Sequence, residues 1–319
     1  MVAGVIVEEK PLVGIGACLT GQAVRYDGSA KALPEALNDF PQRFSFAPFC
    51  PETAIGLSVP RPPIQIIDTG KGLRVKDVAT GQHDYSAALA ASVQAFTAQH
   101  PSLCGYVGVF KSPSCGVYRV KRHTPQGQVI ARDSAGLFVT TLAKQMPTLP
   151  VADDTWLSDS ARRDSFIARV HLRHDSLALP DAPSPAELQS LYRNYKYLLM
   201  AHHPPSYQTL GQRVANYRPC ARTFTAVLTQ MHYALGHMAS RKQHANTLAH
   251  IAGYYRKSLS SEQRQEIAQQ IDCYRNGILS RDEVLQTLLH WQSVSPVAYL
   301  CEQKYLAIAR APTDQQDRA

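Results

Sequence analysis

Hydrophobic periodicity changes partway along this chain of 319 residues, and the change restricts which folds it can adopt. In the first half, short apolar runs bounded by Gly and Pro lie at residues 12–17, 44–48, 64–68 and 106–110. Such runs predict buried strands. Residues 85–99 and 136–146 have apolar side chains at helical spacing instead. Strands that alternate with helices predict an α/β domain with a Rossmann-like, mostly parallel sheet.

The second half is helical almost throughout. Apolar spacing predicts helices at residues 185–202, 207–215, 219–240, 241–258, 261–276 and 280–292. Ser260 stands where a helix N-cap is expected. We therefore predict two domains, an α/β domain over residues 1–160 and an all-α domain over residues 161–319.

Composition narrows the class of protein. Hydrophobic residues make up 45% of the chain and charged residues 18%, which is typical of a globular protein. The N-terminus lacks the layout of a signal peptide, and no apolar run of about 18 residues exists to span a membrane. A cytoplasmic location is expected, where the seven cysteines would be reduced thiols suited to metal or catalytic roles. The net charge of +8 permits a polyanionic partner without identifying one.

Three cysteines share a sequence context. Cys18, Cys50 and Cys115 each follow a predicted strand and are flanked by Gly, Pro or Ser. Because the carboxyl ends of parallel strands meet at one sheet edge, their sulfurs can converge. Their wide spacing matches no compact metal motif, so a shared metal site and unpaired loop thiols both remain open. The other cysteines are predicted to be small buried side chains: Cys104, Cys220, Cys273 and Cys301.

Longer motifs around these cysteines resemble a known family. Residues 16–31 (GACLTGQAVRYDGSAK), 50–66 (CPETAIGLSVPRPPIQI) and 110–118 (FKSPSCGVY) resemble the thiouracil desulfidase (TudS-like) family, over roughly residues 10–170. The chain departs from the family at residues 152–155, where ADDT replaces a more acidic run. The resemblance implies that Cys18, Cys50 and Cys115 hold a 4Fe–4S cluster.

A cluster held by three thiolates has one iron with an open coordination position. Such an iron is a Lewis acid with an affinity for soft sulfur, and it would polarise a C=S bond so that water attacks the ring carbon. The products would be a pyrimidine and hydrosulfide, without net electron transfer. The resemblance points to Glu52 for proton transfer and to a serine beside Cys115, with Ser112 preferred over Ser114. The alternatives are that Glu52 caps a helix or pairs with Arg61, and that the serine only tunes the cluster.

Four further residues are candidates for substrate binding. Arg25 would hold a phosphate and Tyr26 would stack on a base, although an internal pair of Arg25 with Asp27 is an alternative. Arg61 would contact a phosphate or anchor its loop. Lys111 would balance the charge of the cluster or of the substrate.

The helical half contains stretches that resemble a module often fused to this desulfidase domain. They are residues 192–215, 239–260 and 288–306. The combination resembles the RudS-type tRNA 4-thiouridine desulfidases, which implies a tRNA partner containing 4-thiouridine, with neither membrane nor DNA binding. The residues predicted to bind RNA are Arg193, Lys196, Arg241, Lys242, His244, Arg256 and Lys257. Two alternatives are a desulfidase of free thiouracil bases or nucleotides with helices that dimerise, and a non-catalytic iron–sulfur RNA-binding protein.

Overall fold

A computed structural model describes residues 10–309 of the chain. These residues divide into two compact units, the first ending at Phe166 and the second beginning at Ile167. None of the helices in this part of the chain combines the length and the apolar character needed to cross a membrane.

The first unit contains eight strands. They are β1 (Leu12–Gly16), β2 (Ser45–Phe49), β3 (Ile64–Asp68), β4 (Leu73–Asp77), β5 (Leu103–Gly108), β6 (Val120–His123), β7 (Val129–Ser134) and β8 (Val151–Asp153). The order β2-β1-β5-β8 forms one sheet in which every pair is parallel. Every residue of β5 is buried, as expected for an interior strand of a parallel sheet. The predicted α/β fold with a parallel sheet is confirmed.

A second sheet was not predicted. It has the order β4-β3-β6-β7, in which two antiparallel hairpins are joined by the parallel pair of β3 and β6. Residues 64–68 form a strand as expected, but that strand lies outside the parallel sheet. The turn after β3 contains Gly70 and Gly72, both at positive φ, and it returns the chain antiparallel to β3. An apolar run predicts a strand but does not specify its partner.

Helices accompany the strands of the first unit. They are α1 (Phe40–Arg43), α2 (Pro51–Ala54), α3 (Ser86–Gln99) and α4 (Leu137–Gln145), with short 3-10 helices at Ala17–Thr20, Glu35–Leu37 and Trp156–Ser158. The next helix, α5 (Ser160–Leu177), continues through the division at Phe166 and Ile167. Phe96 of α3, Tyr106 of β5 and Phe138 of α4 meet in one apolar core. A Cβ atom at Gly14 on the neighbouring strand would lie 2.7 Å from the Tyr106 ring. Only glycine leaves room there for the tyrosine.

The second unit is all helical, as predicted. Its helices are α6 (Pro185–Asn194), α7 (Lys196–His202), α8 (Pro204–Ala215), α9 (Ala221–Leu235), α10 (Arg241–Ala252), α11 (Ser261–Arg275), α12 (Arg281–Val294), α13 (Ala298–Cys301) and α14 (Lys304–Ala309), with a 3-10 turn at Gly253–Tyr255. Ser184, Ser240, Ser260 and Ser280 each form a capping box at a helix start. These reciprocal side-chain bonds satisfy backbone N–H groups that have no partner within the helix. The predicted helix 185–202 is interrupted at Tyr195.

Candidate active site

Three neighbouring strands deliver the three cysteines to one place. Cys18 lies in the 3-10 helix that follows β1, Cys50 is the residue before α2 and follows β2, and Cys115 lies in the loop after β5. Because β2, β1 and β5 are adjacent and parallel, these loops meet at the same sheet edge. All three side chains line a cavity of about 270 Å³.

The backbone of the loop that carries Cys115 packs directly against two glycines. A Cβ atom at Gly108 would be 1.8 Å from the carbonyl oxygen of Cys115, and one at Gly136 would be 2.3 Å from that of Ser114. Both contacts are possible only because these positions are glycine. Lys111 in the same loop has φ 64, a left-handed conformation that L residues rarely adopt. The loop is therefore held in a defined conformation around its cysteine.

The buried thiols hold their protons tightly. Burial raises the pKa of Cys18, and the nearby Cys50 raises it further. Burial likewise raises the pKa of Cys115 to about 12, despite a hydrogen bond to Ser112 that lowers it. Without a metal, both groups are neutral thiols at pH 7 and make poor nucleophiles. Binding a metal group would displace these protons.

The donor set fits a cluster of several irons better than a single ion. No three Cys, His, Asp or Glu side chains within residues 10–309 are arranged to hold one metal ion. In an iron–sulfur cluster each thiolate binds a different iron, so the three sulfurs need not converge on one point. Three soft thiol ligands around one cavity meet that requirement.

A chain of hydrogen bonds links Cys115 to a carboxylate. The Cys115 Sγ donates to Ser112 Oγ at 3.4 Å, Ser112 Oγ lies 2.9 Å from Ser114 Oγ, and Ser114 Oγ donates to Glu52 Oε1 at 2.7 Å. Since the Ser114 proton is directed to Glu52, Ser112 must donate to Ser114. Glu52 is 62 positions away from Ser114 in sequence. The serine in contact with the carboxylate is thus Ser114, whereas sequence reasoning favoured Ser112.

Arg61 holds the second carboxylate oxygen of Glu52. Its Nε donates to Glu52 Oε2 at 2.9 Å, and its Nη groups donate to the carbonyls of Val24 at 3.0 Å and Ser58 at 3.2 Å. The Arg61 side chain is 4% exposed and that of Glu52 is 12% exposed. These are the contacts of a loop anchor that also orients the carboxylate.

We expect Arg61→Met to lower the free energy of unfolding by about 3–5 kcal/mol, because one partner of a largely buried ion pair is left unpaired. Urea denaturation of the metal-free protein measures this change. The matched control is Arg25→Met, whose guanidinium is one-third exposed and should contribute less than about 1 kcal/mol. Equal losses of unfolding free energy in the two variants would show that the buried pair of Arg61 and Glu52 stabilises the protein no more than the exposed Arg25 does.

The cavity mouth carries a phenol and two cations. The Tyr26 ring is 45% exposed, and the Arg25 guanidinium lies 5.8 Å from its centroid. Arg25 also donates to Ser29 Oγ at 2.9 Å and lies 3.8 Å from Asp27, so the predicted internal pair is present. Lys111 is exposed and lies over the ring of Phe110. Stacking and phosphate contacts are both available to a ligand at this rim.

One supporting residue was missed by sequence reasoning. Asp154 is fully buried, accepts a hydrogen bond from the backbone N–H of Phe110 at 2.8 Å and forms an ion pair with Lys31. It therefore tethers the start of the Cys115 loop to the end of β8. The sequence signal for this role is the acidic pair at residues 153–154, within the segment that departs from the family.

The basic residues predicted to bind RNA differ in their surroundings. Those that are exposed and have no ion-pair partner within residues 10–309 are Lys242, Arg256 and Lys257. The Lys196 ammonium lies over the rings of Tyr197 and Tyr299. Arg193 pairs with Glu302 at 2.5 Å.

Two members of that set have structural roles. Arg241 donates to the carbonyl oxygen of Tyr274 at 3.0 Å and covers its ring. His244 is only 6% exposed, and its Nδ1 lies 2.8 Å from the hydroxyl of Tyr305. Burial, with the nearby Arg281 cation, lowers the pKa of His244 to about 2, so it is neutral. The prediction that His244 contacts RNA is wrong, because that edge of α10 faces the core.

The remaining cysteines are only partly as predicted. Cys104 is buried, whereas Cys273 is half-buried and Cys220 and Cys301 are exposed. Helical periodicity alone did not separate interior positions from those at helix ends.

Comparison with known proteins agrees with the motifs. Residues 13–154 match the family model described as 2-thiouracil desulfurase, and residues 196–308 match the one described as Protein of unknown function (DUF1722). The first match spans all three cysteine motifs of the first unit, which confirms the resemblance drawn from them.

Two individual proteins are similar to this chain. The uncharacterized protein YbgA of Escherichia coli (strain K12) is 28% identical over 149 residues, which are 46% of this chain and 88% of YbgA. A solved structure, the 4Fe–4S-dependent thiouracil desulfidase TudS, is 26% identical and covers 47% of this chain and 93% of its own, with a TM-score of 0.37.

Proposed function

We propose that this protein is an iron–sulfur-dependent desulfidase that removes the sulfur of 4-thiouridine in tRNA, giving uridine and hydrosulfide. The observation that carries the proposal is the cavity itself. Three strand-end cysteines line it, and one of them, Cys115, is linked to the Glu52 carboxylate through two serine hydroxyls.

Cys18, Cys50 and Cys115 would hold a 4Fe–4S cluster. When bound, such a cluster supplies a Lewis-acidic iron with an affinity for the sulfur of a thiocarbonyl. Cys104, the next cysteine in the first unit, follows Leu103 at the opposite end of β5 from the cavity, with its Sγ 3.1 Å from the Ser102 carbonyl. The site therefore offers three thiolates, which leaves one coordination position for a substrate.

We assign the proton transfers of the reaction to residues of the chain itself. Glu52 Oε1 can accept a proton relayed through Ser112 Oγ and Ser114 Oγ, since both hydroxyls donate in the direction of the carboxylate. Arg61 keeps the carboxylate oriented toward Ser114. Positioned proton transfer of this kind typically contributes about 10²–10⁴-fold to a rate.

The helical unit supports an RNA substrate. The exposed Lys242, Arg256 and Lys257 suit phosphate contacts, which position RNA without reading its sequence. Tyr254 is 41% exposed and stacks on Tyr299 at 5.4 Å, which provides a face for an unpaired base. A free thiouracil would need none of these groups.

The test is an anaerobic assay with the reconstituted full chain. Loss of the near-ultraviolet absorbance of 4-thiouridine is followed for a thiolated tRNA and for 4-thiouridine monophosphate at equal concentration. Faster turnover of the tRNA supports the proposal. Turnover of the mononucleotide alone would favour a desulfidase of free thiopyrimidines, and tRNA binding without desulfuration would favour a non-catalytic RNA-binding protein.

We expect the double substitution Lys242→Glu and Lys257→Glu to raise KM for thiolated tRNA about tenfold and to reduce the salt dependence of binding, because phosphate contacts are lost. The mononucleotide should be turned over at the wild-type rate. The matched control is the double substitution Lys71→Glu and Lys121→Glu, which reverses the charge of two exposed lysines in the first unit. If both double variants raised KM equally, net charge rather than a helical RNA surface would explain the effect.

A further inference from the structure

A buried hydroxyl in the first unit has no hydrogen-bond partner. Tyr106 is completely buried in the middle of β5, and its hydroxyl oxygen makes no hydrogen bond with any residue between 10 and 309. Buried polar groups are nearly always paired, because losing water without gaining a partner costs free energy. Phenylalanine would fill the same space without that cost. The hydroxyl is therefore left without the well-placed partner that a buried phenol requires.

The Tyr106 ring lies beside the backbone of the loop that carries Cys115. Its Cε1 would lie 3.7 Å from a Cβ atom at Gly108, the same point that would be 1.8 Å from the Cys115 carbonyl. Tyr106 and Cys115 also belong to one packed core. Burial raises the pKa of Tyr106 well above the ordinary value, and Cys115, Cys50 and Cys18 raise it further in that order. The edge of the ring therefore lies next to Cys115.

The surrounding packing fixes the ring. Phe138 lies 5.3 Å from it and Phe96 lies 6.1 Å from it, and Gly14 leaves just enough space beside it. A ring held this way cannot turn its hydroxyl to solvent. The hydroxyl is therefore held in one position beside the Cys115 loop.

We propose that the Tyr106 hydroxyl donates a hydrogen bond to the Cys115 sulfur, or to a sulfide beside it, when an iron–sulfur cluster is bound. Tyr106 is then a positioning residue that withdraws electron density from the cluster. This inference rests on the proposed function, because it requires the cluster. Hydrogen bonds to cluster sulfurs are a principal means by which proteins adjust reduction potential, since they stabilise the more electron-rich state.

The test is Tyr106→Phe in the full chain, reconstituted anaerobically, with the cluster potential measured by an EPR-monitored redox titration. Loss of the donor should make the potential more negative. We expect about a tenfold change in the oxidised-to-reduced ratio at a given potential, or about 59 mV for one electron. The reduced wild-type cluster should also show a deuterium-exchangeable proton coupling by ENDOR that the variant lacks.

Phe138→Leu is the matched control, since it disturbs packing against the same ring without removing a hydroxyl. It should lower the Tm and leave the potential and the exchangeable coupling unchanged. The metal-free Tyr106→Phe protein should be at least as stable as the metal-free wild type, because it loses only an unpaired hydroxyl. A cluster that forms normally in Tyr106→Phe and keeps the wild-type potential would overturn this inference alone. A wild-type protein that forms no cluster would overturn the proposed function and this inference together.

Discussion

Alanine at Cys50 should abolish cluster binding and lower desulfuration by at least about a hundredfold. Substitutions in the outer shell of a metal site typically cost about 10–100-fold, and loss of a direct ligand should exceed that range. Cys18→Ala and Cys115→Ala should behave in the same way, because all three side chains line one cavity. Iron and acid-labile sulfide content after anaerobic reconstitution measures binding, and turnover of thiolated tRNA measures the reaction.

Two other cysteines provide controls for this series. Cys104 is buried in β5 with its sulfur 3.1 Å from the Ser102 carbonyl, and Cys220 is exposed at the start of α9. Cys104→Ala and Cys220→Ala should retain full iron content. Wild-type iron content in any one of the three cavity variants would exclude that cysteine as a ligand.

Glu52→Gln should lower kcat by about 10²–10⁴-fold while the bound iron stays at the wild-type amount. Glutamine has the shape of glutamate, and it can accept from Arg61 through its amide oxygen while its NH2 group donates to the Ser114 hydroxyl, so the loops should keep their positions. It cannot carry a proton, however, and the hydrogen-bond chain would lose its acceptor. Single-turnover kinetics on thiolated tRNA separates this loss from any change in binding.

The two serines should be distinguishable in the same assay. Ser114 contacts the carboxylate directly, whereas Ser112 lies between Ser114 and Cys115. Ser114→Ala should therefore lower kcat with unchanged iron content, and Ser112→Ala should also weaken cluster retention. If Glu52→Gln kept more than a tenth of the wild-type kcat, Glu52 would be a structural partner of Arg61 instead of a proton carrier.

Local sequence patterns were sufficient to predict most of the helices and strands of the chain. Strand β1 and helix α3 are found within a residue or two of their predicted bounds, because apolar spacing reflects which side of an element is buried. The N-cap at Ser260 is confirmed, since capping depends only on residues within one turn. The loop context of the three cysteines followed from the same kind of local signal.

Contacts between distant segments were decided by the tertiary structure. The bond of Ser114 to Glu52, the pairing of β3 outside the parallel sheet and the burial of His244 each depend on elements that come together only in the folded chain. The unpaired hydroxyl of Tyr106 could not be seen from an apolar strand in which tyrosine is an ordinary residue. Periodicity and capping arise from neighbours along the sequence, so the helices, the strands and the strand-end positions of the three cysteines can be predicted from local patterns. The partner of each strand and side chain depends on packing and loop closure across the whole domain, so the groups that meet in the cavity are identified from the folded chain.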